Sequence, residues 1–191
     1  MKTFKTTHDV PLLKNNILFI SIFILLYEQF CDTFVECVKK HLCAWSMDEN
    51  CKDIYEETED YKNKIVKRQF GRKPNILLAT ISWFLDENVI EKNDYNTFLQ
   101  IRKKRGVYVH EMSNKLCKGI SKPDFQLFAK LLLLYQKLNS WCDKNIDNLG
   151  DKVESISNGY RIFMALISSK DGNDFYGKEI LKWCNEYMKP T

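Results

Sequence analysis

Arg105 and His110 stand five positions apart in the stretch Ile101-Arg102-Lys103-Lys104-Arg105-Gly106-Val107-Tyr108-Val109-His110-Glu111-Met112. A guanidinium carries a permanent charge and a fork of donors that fits phosphate oxygens, and histidine as a residue type exchanges protons near neutral pH. Arg102, Lys103 and Lys104 add cations just upstream, and Glu111 adds a carboxylate just after. This combination suits chemistry on a phosphate backbone better than it suits ordinary packing. The other two histidines, His8 and His41, lie in no comparable surroundings.

The element that must carry these groups reads as a helix from about Asp94 to Leu116, with Asn93 or Asp94 as its cap. At about 100° per residue, Tyr95, Phe98, Ile101, Tyr108, Val109, Met112 and Leu116 form its buried stripe. Arg105 falls inside that stripe, where an unpaired charge is costly and demands an anion or several acceptors. The ordinary answer is a structural ion pair, for which Glu28, Asp32 and Glu36, spaced by four on an earlier helix, are the candidates. His110 shares a neighbouring face with Lys103, Gly106, Ser113, Asn114 and Cys117. Its ordinary reading is a satisfied core or surface histidine. Gly106, one turn before it, costs about 1 kcal/mol of helix propensity against alanine. That glycine either opens room for a substrate or permits close helix packing.

Around this helix the chain reads as all-α. Seven glycines and four prolines in 191 residues leave few turn signals, and Leu, Ile, Lys, Glu, Asn and Phe dominate. A long helix is expected from about Leu12 to Ala44, a charged one from about Asp53 to Gln69, and a third from about Asn75 to Glu87. Asn88 to Asp94 reads as a linker into the motif helix. Gly119 and Ser121-Lys122-Pro123-Asp124 end that helix and start another to about Ile146, with Phe125, Phe128, Leu131, Leu132, Leu134, Tyr135, Leu138 and Trp141 in the core. A short helix near 158–168 and a last segment over 175–188 follow. No internal repeat, low-complexity tract or strand pair is expected. The length suits a single helical domain over 1–191.

The net charge of +4 allows an acidic partner but is far from the excess of a nucleic-acid coat. Seven cysteines are scattered without a CxxC pair, and Cys31, Cys37 and Cys43 recur at six-residue steps that turn to different helix faces. Reduced thiols in a cytoplasmic protein are expected, with no metal and no cofactor. The apolar run from Ile17 to Tyr27 is short for a membrane span, lacks a small-residue cleavage site behind it, and continues into Phe30, Phe34, Val35 and Val38 at helical spacing. It reads as a core helix with no membrane role, one side of which a partner subunit could cover. No Walker loop, nucleophile elbow or dinucleotide fingerprint is present.

The segment from Asn88-Val89-Ile90 through Phe98-Leu99-Gln100-Ile101 to Arg105 and His110 resembles the signature of HEPN proteins, an arginine, four to six residues, then a histidine. Arg105 and His110 match with four residues between, and Glu111 matches a common trailing glutamate. Gly106 replaces the usual polar residue and Val109 a common alanine. Tyr27-Glu28-Gln29-Phe30 also looks like the first helix of such domains. The resemblance covers about 12–147 and leaves about 148–191 as a helical extension. It implies a HEPN-like helical bundle of about five to seven helices, paired as a homodimer with two motif helices facing across a cleft. It further implies a metal-independent endoribonuclease in a toxin–antitoxin or antiviral defence setting, with an antitoxin or defence partner. In that role His110 is the general acid or base at the ribose 2′-hydroxyl and Arg105 holds the scissile phosphate. Glu111 orients the imidazole, and Arg102, Lys103 and Lys104 guide the RNA backbone. The glycine at 106 fits equally a member of the family that binds RNA, nucleotides or proteins without cleaving.

Overall fold

The computed structural model describes residues 10–50, 53–68 and 75–146. The leader over 1–9, the turn at Gly71 to Pro74 and the helical extension at about 148–191, with its expected helices, lie outside the described residues. The protein is all-α: among the described residues six α-helices and one short hairpin run in the order α1 (Val10–Leu42), β1 (Ala44–Met47), β2 (Asp53–Glu56), α2 (Glu59–Lys64), α3 (Ile76–Asp86), α4 (Lys92–His110), α5 (Met112–Lys118) and α6 (Lys122–Asn145). A single turn of 3-10 helix, Val66–Arg68, follows α2.

The helix starts follow from side chains that satisfy first-turn N–H groups. Thr58 accepts from Tyr61 N at α2, and Asn75 accepts from Leu78 N at α3. At α4 and α6 the device is a carboxylate at the third helical position reaching back: Asp94 accepts from Glu91 N at 3.1 Å and Asp124 from Ser121 N at 3.0 Å. Asp94 is therefore not the cap of α4, which begins two residues earlier than its sequence suggested. Asn88 takes a left-handed φ of 56°, with Val89 N bonded to Phe84 O and Asn88 N to Leu85 O. This is a Schellman closure of α3 rather than a plain linker.

The hairpin is a departure from the sequence reading, which placed a helix over Asp53 to Gln69 and no strand pair. Ala44 pairs with Glu56 and Met47 with Asp53 in antiparallel register. Asp48 accepts from Asn50 N at 2.8 Å, a local turn contact that competes with helix. The glutamates and lysines that suggested one long helix support only α2, where Lys62 meets Glu59 and Lys64 meets Asp60.

The chain divides into two compact units whose boundaries fall inside α1, α4 and α6. In the first, described over 10–28 and 96–134, Phe19 and Phe23 of α1 pack with Tyr108, Phe125 and Phe128. In the second, described within 29–95 and 135–146, Phe34 meets Phe84 and Tyr135, and Trp83 meets His41 and Trp141. Phe125, Phe128, Leu131, Leu132, Leu134, Tyr135 and Leu138 are buried as expected, while Trp141 is half-buried.

Within the second unit, Cys37 and Cys142 form a disulfide with Cα atoms 6.4 Å apart. This corrects the expectation of reduced thiols for these two residues. They are 105 positions apart on different helices, so spacing along the chain carries no sign of the bridge. Residues Leu13–Leu42 of α1 are long and apolar enough, by length and composition, to cross a membrane, a test that buried core helices also pass.

Candidate functional site

Helix α4 carries Phe98, Ile101 and Tyr108, all fully buried in the first unit. Taking Ile101 as the centre, Lys104 lies about 60° to one side and Arg105 about 40° to the other. Two adjacent cations thus flank one buried stripe. Each has found a carboxylate, and each sits over a tyrosine ring.

On one flank Lys104 is ion-paired with Asp124 of α6. Only 2% of the Asp124 side chain is exposed, and 22% of the Lys104 side chain. Asp124 also receives the backbone N–H of Ser121 and, at 2.7 Å, its hydroxyl. Burial by itself would raise the Asp124 pKa, but hydrogen bonds from Lys104 and Ser121 and the lysine charge outweigh it and hold the carboxyl below its usual value. Lys104 Nζ lies 5.4 Å from the Tyr108 ring centre. The Tyr108 hydroxyl is sealed from solvent without a well-directed hydrogen bond. Burial first, then the neighbouring Asp124, pushes its pKa far above the usual tyrosine value.

On the other flank Arg105 reaches Glu28 of α1. Its Nε donates to Glu28 Oε1 at 2.6 Å, and Nη2 contacts the same oxygen. The Arg105 Cζ stands 5.9 Å from the Tyr27 ring centre. Tyr27 is itself stacked on Phe98 at 6.3 Å with 13° between planes. Here 34% of the arginine side chain and 44% of the glutamate side chain remain exposed.

Of the remaining candidates, His110 and Glu111 sit at the C-terminal end of α4, and Arg102, Lys103 and Gly106 lie within it. His110 is exposed and is the last residue of the helix; Glu111, also exposed, bends the chain into α5. That bend breaks the phase of the expected single helix to Leu116. Met112, placed in the buried stripe by an unbroken period, is accordingly exposed, while Val109, still inside α4, lies about 80° from Ile101 at the edge of the stripe and is exposed there. Lys103 is exposed and Arg102 is half-buried. A Cβ built at Gly106 meets nothing within 4 Å. Among the described residues the glycine therefore permits no close packing.

Five residues along a helix turn about 140°, so Arg105 and His110 leave α4 in different directions. Among the described residues, no hydrogen bond or ion pair joins Arg105, His110 and Glu111 to one another. Of the three ion-pair candidates Glu28, Asp32 and Glu36 that the sequence offered, Glu28 is the partner, but the sequence did not single out Tyr27 or Asp124 as members of this region. The spacing Ser121-x-x-Asp124 signalled a helix start, and nothing local signalled that Lys104 would arrive there. Among the described residues no group of three or more His, Cys, Asp or Glu could hold a metal ion. No protein-family model, curated protein or solved structure matches this chain. The HEPN resemblance accordingly stands on the residues themselves.

Proposed function

We propose that this chain is a HEPN-like, metal-independent endoribonuclease that acts on RNA as a homodimer, in a toxin–antitoxin or antiviral defence setting. The observation that carries the reading is the exposed imidazole of His110 at the end of α4, five residues after a half-exposed, pre-oriented Arg105. His110 takes the proton of a ribose 2′-hydroxyl, and Arg105 meets the phosphate on which negative charge builds. Because the two diverge around α4, a complete site draws on a second copy of the chain. Leu13, Ile17, Leu18 and Leu25 of α1, with Val109 and Met112 near His110, supply exposed apolar surface for that copy. Lys103 and Arg102 remain backbone guides in this reading, whereas Lys104 is held by Asp124.

RNA cleavage in EDTA tests it. Single substitutions His110→Ala and Arg105→Ala are each expected to lower the rate by about 10²–10⁴-fold. Cleavage unchanged by either substitution rejects the assignment, and light scattering that finds only monomer rejects the dimer site.

A second reading, a non-catalytic module that binds RNA, nucleotides or a protein partner, is favoured by the Glu28 carboxylate already on Arg105 and by the glycine at 106. RNA retained without cleavage, and lost in Arg105→Ala, is its outcome. The proposed cytoplasmic setting is opposed by the Cys37–Cys142 bridge, since such bonds persist in oxidising compartments. Thiol trapping of the chain in its host decides this: reduced Cys37 and Cys142 keep the cytoplasmic assignment, and an intact bridge removes it.

A further inference from the structure

A guanidinium has five N–H donors in a rigid plane, so fixing one edge aims the rest. In Arg105 that edge is fixed. Glu28 Oε1 takes Nε and Nη2, and the Tyr27 ring lies beneath Cζ. Tyr27 cannot easily shift, because it is buried and stacked on Phe98 of the same helix as the arginine. The donors that remain, on Nη1 and the far side of Nη2, form the pair that a phosphate takes in a two-pronged contact.

We propose that Glu28 is the positioning residue for Arg105, presenting the free end of the guanidinium to an RNA phosphate, an inference that rests on the functional reading above. Glu28 touches no substrate in this role. Its carboxylate stands on the edge of the arginine opposite the incoming phosphate, and Tyr27 keeps the plane from turning. Adjacent positions on α1 thus supply the edge and the face of one holder. The rival role for the same contact is a brake, in which Glu28 occupies the arginine and phosphate must displace it. The two roles differ in what removal of the carboxylate does.

The test compares wild type, Glu28→Gln and Glu28→Ala, each also combined with Arg105→Ala. Cleavage constants are measured on a short mixed-sequence single-stranded RNA. The Arg105 Nε–Hε resonance and the affinity are followed with the 2′-O-methyl form of that RNA. Positioning requires Glu28→Ala to lower kcat by roughly 10- to 100-fold with KM changed less than about threefold. Glu28→Gln, whose amide oxygen still accepts Nε–H, keeps most of the rate, and neither change adds to the loss in Arg105→Ala. The Arg105 resonance is shifted by the analogue in wild type and broadened in Glu28→Ala. In a protein that binds without cleaving, the same loss of about tenfold is read in affinity for the analogue.

Cleavage or affinity equal to or above wild type in Glu28→Ala overturns the positioning role and makes Glu28 a brake. Equal losses in Glu28→Gln and Glu28→Ala, tracking a lower melting temperature, reduce the pair to a structural one. An analogue that leaves the wild-type Arg105 resonance unmoved rejects both this proposal and the functional reading. An analogue that moves it, with Glu28→Ala still behaving as wild type, rejects the role of Glu28 alone.

Discussion

Lys104 and Arg105 are neighbours in sequence with the same sign of charge, and the structure treats them oppositely. Lys104 is drawn inward to a carboxylate that is almost wholly buried and already tied to Ser121. Arg105 is held at the surface by a carboxylate that is nearly half exposed. Both pairs rest on a tyrosine, so local composition does not separate them. What separates them is the neighbouring helix: α6 meets one flank of the stripe with the buried start of its first turn, and α1 meets the other with a half-exposed edge. A buried pair fixes position but is closed to ligands. A half-exposed pair contributes little to stability and leaves donors available.

The largest effect should come from breaking the inner pair. Asp124→Ala strands a mostly buried lysine and removes the acceptor for Ser121, so urea unfolding should show a loss of about 3 kcal/mol. Replacing both partners by apolar residues, Lys104→Met with Asp124→Leu, should lose clearly less, because no charge is then left without its partner. A double variant as unstable as Asp124→Ala would mean that the Ser121 contacts, rather than the ion pair, dominate.

A second effect is visible in pH. The folded Asp124 carboxyl lies below its ordinary value of 3.8. Its contribution is therefore complete above about pH 3.8 and is lost as pH falls through the lower folded value. Tyr108 has the opposite sense: its folded value lies above the ordinary 10.0. Its contribution is complete below that value and falls as pH rises past it. Stability measured across pH should thus weaken at both ends. Tyr108→Phe should flatten the alkaline limb and leave the acid limb in place. Tyr61, pushed to about 12 chiefly by burial in the second unit, should keep part of the alkaline limb even then.

Breaking the outer pair should hardly register in the same unfolding experiment. Glu28→Ala is expected to cost about 0–1 kcal/mol, as exposed pairs do. A loss as large as that of Asp124→Ala would erase the contrast between the two flanks. The smallest effect should be a gain: among the described residues Gly106→Ala meets nothing at its new Cβ and should stabilise by about 0.5–1 kcal/mol. Destabilisation there would point to a close approach from outside the described residues, such as a second copy.

Much of this architecture was legible along the chain. Asn75 and Glu87 bracketed α3, the apolar period of α6 named its core, and the awkward phase of Arg105 called for a carboxylate among Glu28, Asp32 and Glu36. The failures have separate causes. Met112 was assigned to the core by extending a single period through Glu111, where the helix bends, and Val109 by counting the edge of the stripe as part of it. The Asp53–Glu56 strand was missed because charge pairs at helical spacing outweighed a short turn. The Cys37–Cys142 bridge was invisible because it joins two helices far apart in sequence.

The sequence by itself determined the helical class, the stripe of Phe98, Ile101 and Tyr108, and the fact that a charge must interrupt it, since these depend only on residue type and a period of about 3.6. Tertiary structure alone decided that Lys104 would be sealed against Asp124 while Arg105 stayed half open beside Glu28. Burial and pairing are properties of the facing helix, and no spacing within α4 records which carboxylate will stand there.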